Sequence, residues 1–422
     1  MQEDFLYYVW QHKKFALESL YTTKHHPIRV KSVGQPNTNS GPDFFNAQLV
    51  IDGQLWAGNV EIHVKSSDWY LHNHEQNSAY DTVILHVVWE HNTEVYRADN
   101  SVVPTLELKP HVASGILKNY KRLITNQQGW IPCENQFKRV QTFQMAHWLE
   151  RLYLERLEQK CSPIQACLEQ THHDWEAVMF WQLARAFGSK VNADAFWQLA
   201  KSFPFAVFRK IRHNLLDLEA LLFGQSGLLE GEDHYVQSLK NRYAFFKQKY
   251  SLNRNGTMPM QFFRLRPPNF PTIRLAQLAQ LYFTHDHVFS SLMQLEGPSD
   301  FYDFFSCGTS SFWDTHYSFG AASKKRSKTL SKRFIDLLII NAIIPMRYAY
   351  NKSQGMPQDV LLSLIRTIPP EQNSTVKKFQ QLKPISTSAL DSQALLQLKS
   401  YYCDHRKCLH CAVGSALLNR NV

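Results

Sequence analysis

The sequence predicts an α+β protein with an N-terminal α/β domain, residues 1–135, and a larger all-helical domain, residues 136–422. Two observations predict this class. Up to about residue 110, short apolar runs alternate with polar residues and are separated by turn residues, as strands are. From about residue 140, apolar residues recur at intervals of three and four, as in helices that pack on one face. A chain of 422 residues also exceeds the usual size of one domain.

The first elements are a helix and a hairpin. "EDFLYYVWQHKKFALESLYT", residues 3–22, carries apolar residues at helical intervals, and "IRVKSVG" is typical of an extended segment. The cluster "GQPNTNSGP" predicts a loop. "NAQLVID" and "QLWAGNVEIHVK" then alternate around Asp52-Gly53, which predicts two antiparallel strands joined by a tight turn.

The next segments complete the α/β domain. "SSDWYLHNHEQNSAYD" is polar and predicts a loop with a helix, whereas "TVILHVVWE" is nearly all apolar, as is typical of a central strand buried on both faces. "VVPTLELKP" predicts a shorter strand. The predicted order is helix, three strands, helix, two strands.

The second domain is predicted from helical repeats such as "DWEAVMFWQLARAFG" and "NADAFWQLAKS". Asp174 and Asn192 directly precede these repeats, and both residue types commonly cap helix N-termini. The longest apolar stretch, "FIDLLIINAIIPM", contains Asp336 and is short for a membrane span, so we expect a buried helix there.

Composition indicates the class of partner. The formal net charge is +10, which predicts a polyanionic partner. We expect nucleic acid, and DNA more than RNA, although an anionic membrane surface would also attract a basic chain. The beginning "MQEDFLYYVW" has no basic or apolar signal segment, so we expect a cytoplasmic protein without a membrane role. Phosphate-binding glycine loops, dinucleotide fingerprints and Gly-x-Ser-x-Gly elbows are absent from the sequence, which disfavours nucleotide-driven motors and elbow-type hydrolases.

Carboxylates flank the predicted hairpin. Glu61, His63 and Lys65 alternate along one strand and therefore project from one face, which meets Asp43 if the preceding turn folds back. Converging carboxylates are costly unless a cation neutralises them, and Mg²⁺ or Mn²⁺ is held by such oxygens. A neighbouring His or Lys would orient or deprotonate the attacking water. The alternative is that these residues form the solvated face of an antiparallel sheet.

This arrangement of a Pro-Asp turn at Asp43, a hairpin and then Glu61-x-His63 resembles the PD-(D/E)XK nuclease superfamily. The resemblance implies a restriction-endonuclease-like core, phosphodiester hydrolysis, Asp43 and Glu61 as metal-binding acids, and Glu3 as a third acid. His63 then stands where the superfamily has lysine. Lys65 lies roughly 13 Å along the strand from Glu61, against about 7 Å for the expected spacing. Alternatively the pair shifts along, so that His63 fills the acid position and Lys65 the lysine position.

The wider sequence, including "NSGPDFFNAQ", "YDTVILHVVW" and "CLHCAVG", resembles a family of uncharacterised bacterial proteins of this length. This resemblance covers nearly the whole chain and implies no known activity. A protein that keeps the nuclease fold as a nucleic-acid-binding or scaffold protein is therefore the main alternative to a nuclease, and the missing lysine at position 63 favours it.

A second group of candidate ligands is His72, His74 and His86, with Asp68 and Asp81 nearby. In an extended segment, His-x-His points both imidazoles to one side, as a zinc or manganese site requires. A zinc-dependent hydrolase is the function that this group predicts. The alternative is a surface pair of histidines and one hydrogen-bonded core histidine.

The seven cysteines do not indicate a disulfide framework, because their number is odd and they are scattered. Cys403, Cys408 and Cys411 lie close together and could bind zinc with His405 or His410. The other interpretation is a terminal helix with small, partly buried thiols.

An iron–sulfur cluster is a further possibility for these cysteines. Some PD-(D/E)XK exonucleases hold such a cluster with three late cysteines and one distant cysteine, and this resemblance implies that Cys133 or Cys307 completes the set.

The one conspicuous run of charge is "SKKRSKTLSKRF", which predicts phosphate contacts from Lys324, Lys325, Arg326 and Lys328. The alternative is an ordinary solvated run.

Overall fold

The computed structural model describes residues 2–125 and 129–420. The chain forms two compact units, each discontinuous in sequence. The first comprises Met1–Trp148, Gln381–Lys383 and Gln397–Val422, and the second comprises Leu149–Gln380 and Pro384–Leu396. The C-terminal cysteines therefore lie in the first unit, whereas the sequence analysis places them in the helical domain.

The order of elements at the N-terminus confirms the prediction of a helix, three main strands, a helix and two strands. The elements are α1 (Glu3–Gln11), β1 (Leu20–Tyr21), β2 (Pro27–Ser32), β3 (Gln35–Pro36), β4 (Phe44–Ile51), β5 (Gln54–Lys65), α2 (Asp68–Leu71), β6 (Val83–Glu90), β7 (Thr105–Glu107) and α3 (Ser114–Thr125). The short strands β1 and β3 were not expected. The first helix is half as long as predicted, because Lys13 adopts a left-handed conformation with φ of 48°.

In the described residues, seven strands form one sheet in the order β1-β2-β4-β5-β6-β7, with β3 paired to β4. The β4–β5 hairpin is antiparallel and turns at Asp52 and Gly53, both with positive φ. This confirms the predicted hairpin. After α2, β6 pairs with β5 in parallel, with Val60 beside Leu85, so β5 is a central strand. The prediction that β6 is buried on both faces is also confirmed.

The C-terminal segment of the first unit packs against the N-terminal elements. It consists of a π-helical turn (Leu398–Cys403), a 3₁₀ turn (Cys408–His410) and α18 (Ala412–Leu418). The Tyr8 hydroxyl on α1 lies 3.0 Å from the Ser415 hydroxyl, and the Asn119 side chain donates to the carbonyl oxygen of Leu418. These contacts hold the chain end against α1 and α3.

Helices dominate the second unit. They are α4 (Thr142–Gln170, which begins in the first unit), α5 (Trp175–Phe187), α6 (Ser189–Lys201), α7 (Phe205–Ile211), α8 (Leu215–Ser226), α9 (His234–Lys249), α10 (Pro271–Thr284), α11 (Val288–Gln294), α12 (Pro298–Phe304), α13 (Lys332–Leu338), α14 (Ile344–Ser353), α15 (Asp359–Thr367), α16 (Ser374–Leu382) and α17 (Ala389–Gln397). The region also contains a hairpin of β8 (His316–Ser318) and β9 (Ala321–Ala322). The prediction of an all-helical domain was therefore wrong in this detail.

The apolar stretch with Asp336 forms α13, a π-helical turn (Ile339–Ile343) and α14, most of whose residues are buried. This confirms the predicted buried helix. Among the described residues, no helix is both long and apolar enough to span a membrane.

The two predicted helix caps have different outcomes. The Asp174 side chain accepts a hydrogen bond from the N–H of Ala177, which confirms the cap of α5. Asn192 lies inside α6, so its prediction as a cap was wrong. It is buried, and its side chain bonds both the N–H and the carbonyl of Gln261. A tertiary contact therefore explains this asparagine better than local capping does.

A buried carboxyl group marks the core of the second unit. The Tyr235 hydroxyl, the Ser310 hydroxyl and the Trp313 indole all donate to Glu219. Burial raises the pKa of Glu219 to about 7, although these three donors favour the ionised form. The protein therefore holds a carboxyl group that titrates near neutral pH.

Candidate metal centre

The β4–β5 hairpin fixes two carboxylates against each other. The backbone N–H of Asp43 donates to Glu61 Oε2 at 3.1 Å, and the N–H of Ile62 donates to Asp43 Oδ2 at 2.9 Å. The Tyr7 hydroxyl on α1 donates to the other oxygen of Asp43. The Pro-Asp turn thus brings Asp43 to Glu61, as the sequence analysis expected.

These carboxylates are poorly solvated. Glu61 is 4% exposed, so it does not belong to a solvated sheet face. Burial, followed by repulsion from Glu61, raises the pKa of Asp43, and burial raises the pKa of Glu61 despite the hydrogen bond from Asp43. A bound cation would favour the ionised form of both groups, so the pair fits a metal site.

Three imidazoles stand beside the pair. His63, His72 and His74 each offer a ligand atom, and these atoms all lie within 4.8 Å of one another. Glu61 Oε1 lies 3.2 Å from His74 Nε2 and 3.6 Å from His63 Nε2. Three imidazoles with a carboxylate form a donor set that suits zinc, manganese or iron.

The segment folds as the predicted loop with a helix, and not as the extended segment on which the hypothesis of a His-x-His metal site depended. His72 follows the end of α2 and His74 begins a 3₁₀ turn, and Asn73 between them is left-handed, with φ of 56°. Asparagine tolerates this conformation better than most residues do. The sharp turn at Asn73 brings both histidines to His63.

One buried atom of the cluster lacks a hydrogen-bond partner. His74 Nε2 forms no hydrogen bond in the described structure, although Glu61 Oε1 is close, because the geometry is unsuitable. Buried polar atoms without a partner are rare and destabilising. A metal ion between the imidazole and the carboxylate would satisfy both.

His86 supports the cluster from β6. Its Nε2 lies 2.8 Å from His63 Nδ1. The other ring nitrogen of His63, Nε2, therefore faces His72 Nδ1 at 3.1 Å and the Glu61 carboxylate. A partner on the second ring nitrogen is typical of metal-binding histidines. Burial lowers the pKa of His63 and His86, that of His86 to about 3, and neighbouring imidazoles lower both further. Neutral imidazole is the form that binds metal.

Aromatic side chains pack against the cluster. The Tyr80 ring stacks on His74 with centroids 3.7 Å apart, and the Trp69 ring meets His74 and His86 at 5.4 Å. Their packing holds the imidazoles in place and keeps solvent away from this side of the site.

Helix α1 contributes two further polar groups. Burial raises the pKa of Glu3, whereas His72 and His74 lower it, which places this carboxyl near the imidazoles. Tyr7 was missed by the sequence analysis, although its position four residues after Glu3 puts both on one helix face.

Other candidates on this domain lie outside the cluster. Lys65 is exposed at the end of β5, and its backbone N–H donates to the Asp68 side chain. Asp68 therefore supports the β5–α2 connection. Asp81 is exposed at the end of a 3₁₀ turn. The buried part of β5 ends before Lys65, so the strand brings only Glu61 and His63 into the site.

The late cysteines form a separate group. Cys403, Cys408 and Cys411 line one small cavity together with Cys133, whereas Cys307 lies in the second unit. The histidines proposed to join them, at positions 405 and 410, are exposed.

The basic run of the second unit divides into two parts. Lys324, Lys325 and Arg326 are exposed, but Lys328 is buried and its ammonium donates to the carbonyl oxygens of Asp314 and Arg326. Lys328 therefore has a structural role, and the other three of the four predicted contact residues are exposed to a polyanion.

A basic cavity of about 710 Å³ lies in the same unit and was missed from the sequence. It is lined by Lys160, Arg185, Lys190 and Lys201 and by the ring of Trp197. These residues come from α4, α5 and α6, so no local motif reveals them.

Comparison with known families gives one match. A family model described as "Protein of unknown function (DUF2851)" matches residues 3–374. The chain belongs to the DUF2851 family. This confirms the predicted resemblance to a family without an assigned activity. The DUF2851 match includes every residue of the metal centre and the basic run, but it ends before the late cysteines. No curated protein and no solved structure matches the chain.

Proposed function

We propose that the protein is a divalent-metal-dependent nuclease whose metal site consists of Glu61, His63, His72 and His74, with Asp43 beside them. The observation that carries this proposal is the cluster of three imidazoles, two of which lie beside the buried Glu61 carboxylate, while His74 Nε2 forms no hydrogen bond. Such a group has an evident use as a metal ligand set and is costly without one.

The surrounding fold supports a PD-(D/E)XK-type assignment. Helix α1 precedes the β4–β5 hairpin, and a short helix then connects β5 to the parallel strand β6. Asp43 and Glu61 lie at the centre of this sheet, where the superfamily has its metal-binding acids. The sequence order and the sheet topology therefore favour the same assignment.

The donor set favours Mn²⁺ or Zn²⁺ over Mg²⁺, because imidazole nitrogen is a poor ligand for Mg²⁺. A bound ion would lower the pKa of its water and neutralise charge on a phosphodiester. The chain's own residues orient the ligands: His86 fixes the ring of His63, and Tyr7 holds Asp43.

Charge supports nucleic acid as the substrate. The net charge is +10, and Lys324, Lys325 and Arg326 are exposed. Exposed cations bind phosphates by releasing counterions. We favour DNA over RNA, as in the sequence analysis.

One observation favours a catalytically inactive scaffold protein instead. His63 hydrogen-bonds both His72 and His86, so part of the cluster is satisfied without any metal. In this alternative, His63 stands where catalysis needs a lysine, so the protein has the nuclease fold without the activity.

The test is a cleavage assay with labelled single- and double-stranded DNA and RNA in Mn²⁺, Zn²⁺ or Mg²⁺. We expect cleavage with Mn²⁺, and we expect Asp43→Ala, Glu61→Ala and His74→Ala each to abolish it. Glu90→Gln serves as the control, because Glu90 is an exposed carboxylate at the end of β6.

Metal binding by calorimetry separates the alternatives. Metal bound at the cluster without cleavage of any nucleic acid would favour the zinc-dependent hydrolase. Binding of nucleic acid without metal or cleavage would favour the scaffold. Full cleavage by Glu61→Ala would refute the assigned site.

A further inference from the structure

The basic cavity of the second unit has the size of a ligand-binding site. Its volume is about 710 Å³, and pockets that bind small molecules are commonly about 300–1,000 Å³. Its walls come from α4, α5, α6, α13, the π-helical turn at Ile339–Ile343 and α14. A cavity of this volume suits a ligand with several chemical groups better than a single ion.

Positive charge dominates the wall of this cavity. Among the described residues that line it, none is acidic, and four are basic: Lys160, Arg185, Lys190 and Lys201. Arg185 lies 3.6 Å from the carboxylate of Asp194, which is outside the lining. In the described part of the chain, the exposed Lys190 ammonium has neither a carboxylate nor a hydrogen-bond partner. This distribution of charge attracts an anion.

Lys160 is the cation whose surroundings most favour an anionic ligand. Its ammonium donates to Oδ1 of Asn341 at 3.2 Å, and both residues line the cavity. The pKa of Lys160 is lowered to about 7, mainly by burial and also by Arg156 and Arg185, whereas Glu371 opposes this shift. A phosphate in the cavity would favour the charged form of this amine and offer it a strong acceptor.

A tryptophan ring adds a flat apolar surface to the same wall. Trp197 lines the cavity and is half-buried. Arg185 Cζ lies 5.6 Å from the centroid of this ring, and Lys201 Nζ lies 5.3 Å from it. Tryptophan rings and guanidinium planes are surfaces on which nucleic-acid bases stack. The cavity therefore combines cations for a phosphate with a surface for a base.

Side-chain amides supply the remaining polar groups of the lining. They are Gln159, Gln170, Gln182 and Asn341. An amide both donates and accepts hydrogen bonds, as the edges of bases and the hydroxyls of a sugar do. A phosphorylated sugar or an inorganic anion would use the cations but leave the ring of Trp197 without a partner. The complete lining therefore favours a nucleotide.

We propose that this cavity binds a nucleoside phosphate, either free or at the end of a nucleic-acid strand. The phosphate lies among Lys160, Arg185 and Lys190, and the base packs against Trp197. The site shares no residue with the metal centre of the first unit. The proposal therefore does not depend on nuclease activity.

The test is calorimetric titration of the full chain with AMP, GMP, CMP and UMP, in chelator so that the metal centre takes no part. The nucleotide that binds most tightly is compared with its nucleoside, with ribose 5-phosphate and with inorganic phosphate. We expect it to bind about tenfold more tightly than each of these, because only the nucleotide has both a phosphate and a base. A chain that binds none of the four nucleotides would overturn the proposal. Equal affinity for the nucleotide and for ribose 5-phosphate would also overturn it.

Variants of the lining locate the site. Arg185→Gln and Lys190→Gln should each weaken nucleotide binding about tenfold, because each removes a charged partner of the phosphate. Trp197→Leu should weaken nucleotide binding about tenfold and leave the affinity for ribose 5-phosphate unchanged. Lys210→Gln is the matched control, because Lys210 is an exposed lysine of α7 outside the lining. It should bind nucleotide as the wild-type protein does.

The two cation variants decide the location even if Trp197→Leu loses its far-ultraviolet circular dichroism, because Arg185 and Lys190 are exposed. Unchanged nucleotide binding in both would overturn the assignment to this cavity. Short DNA strands with and without a 5′-phosphate then identify the source of the ligand. A preference for the phosphorylated strand that Lys190→Gln removes would support a strand end, and equal binding of the two strands would support a free nucleotide.

Discussion

Replacing Glu61 with glutamine tests whether the cluster around Glu61 is a metal site or only a structural hydrogen-bond network. Glutamine keeps an oxygen that can accept from the N–H of Asp43, and it removes an ionisable group that is buried beside Asp43. Its amide can also donate to the unpartnered His74 Nε2. Because an unsatisfied buried group costs about 1–3 kcal/mol, Glu61→Gln should stabilise the metal-free protein by about that amount.

The same substitution should remove the response to metal. An ion at 100 times its dissociation constant stabilises a folded protein by about 2.7 kcal/mol. For a unit of this size, this corresponds to a rise in Tm of about 5–10 °C. We therefore expect Mn²⁺ to raise the Tm of the wild-type protein and to leave that of Glu61→Gln unchanged.

The assay is thermal and urea unfolding in chelator and in Mn²⁺, with Glu90→Gln as the matched control. The control should resemble the wild-type protein in both conditions, since Glu90 is exposed. A variant that is less stable than the wild-type protein in chelator would show that Glu61 serves the fold. An equal response of wild-type and variant protein to Mn²⁺ would place the metal elsewhere.

Three further predictions concern the second unit. The pKa of Glu219 is raised to about 7 from an ordinary value of 4.5, so its contribution to stability is complete below pH 4.5 and is lost as pH rises through 7. In urea unfolding, the free energy of unfolding should fall by about 3 kcal/mol between pH 4.5 and pH 7. Glu219→Gln should abolish this pH dependence, and a variant that keeps it would exclude Glu219 as the cause. Asn192→Ala should destabilise the unit by about 1–3 kcal/mol in the same assay, because it removes two hydrogen bonds to the backbone of Gln261, whereas an unchanged midpoint would show that water replaces them. Neutralising Lys324, Lys325 and Arg326 together should weaken DNA binding and reduce the salt slope by about 2–3, and an unchanged slope would exclude these residues from phosphate contact.

The strands and the hairpin were predictable because their signals are local. Asp52-Gly53 between two alternating runs predicts the turn, and the apolar run of β6 predicts a strand buried on both faces. Asp43 beside Glu61 follows from the hairpin once its register is known. The length of α1 was not predictable in this way, because apolar residues continue beyond the point where Lys13 reverses the chain.

The imidazole cluster was predictable only in part. The spacing of His72 and His74 indicates a pair, but the extended conformation that this pairing was expected to need is not the one in the structure, where the predicted loop and helix are found. A left-handed residue at Asn73 brings the rings together, and this conformation depends on tertiary packing. The late cysteines show the same limit, since the sequence offered Cys133 and Cys307 equally as their neighbour, and only the path of the C-terminal segment places Cys133 beside them.

The histidine at position 63 changes the chemistry expected of a PD-(D/E)XK-like site. A lysine there would supply a positive charge beside the carboxylates, whereas His63 has a lowered pKa and stays neutral among three other imidazoles. Without that charge, Asp43 and Glu61 are neutralised either by protonation, since burial raises the pKa of both, or by a cation held by the same residues. The histidine that weakens the resemblance to a magnesium nuclease is thus compatible with the manganese or zinc ion that we propose, because imidazole is a ligand for both.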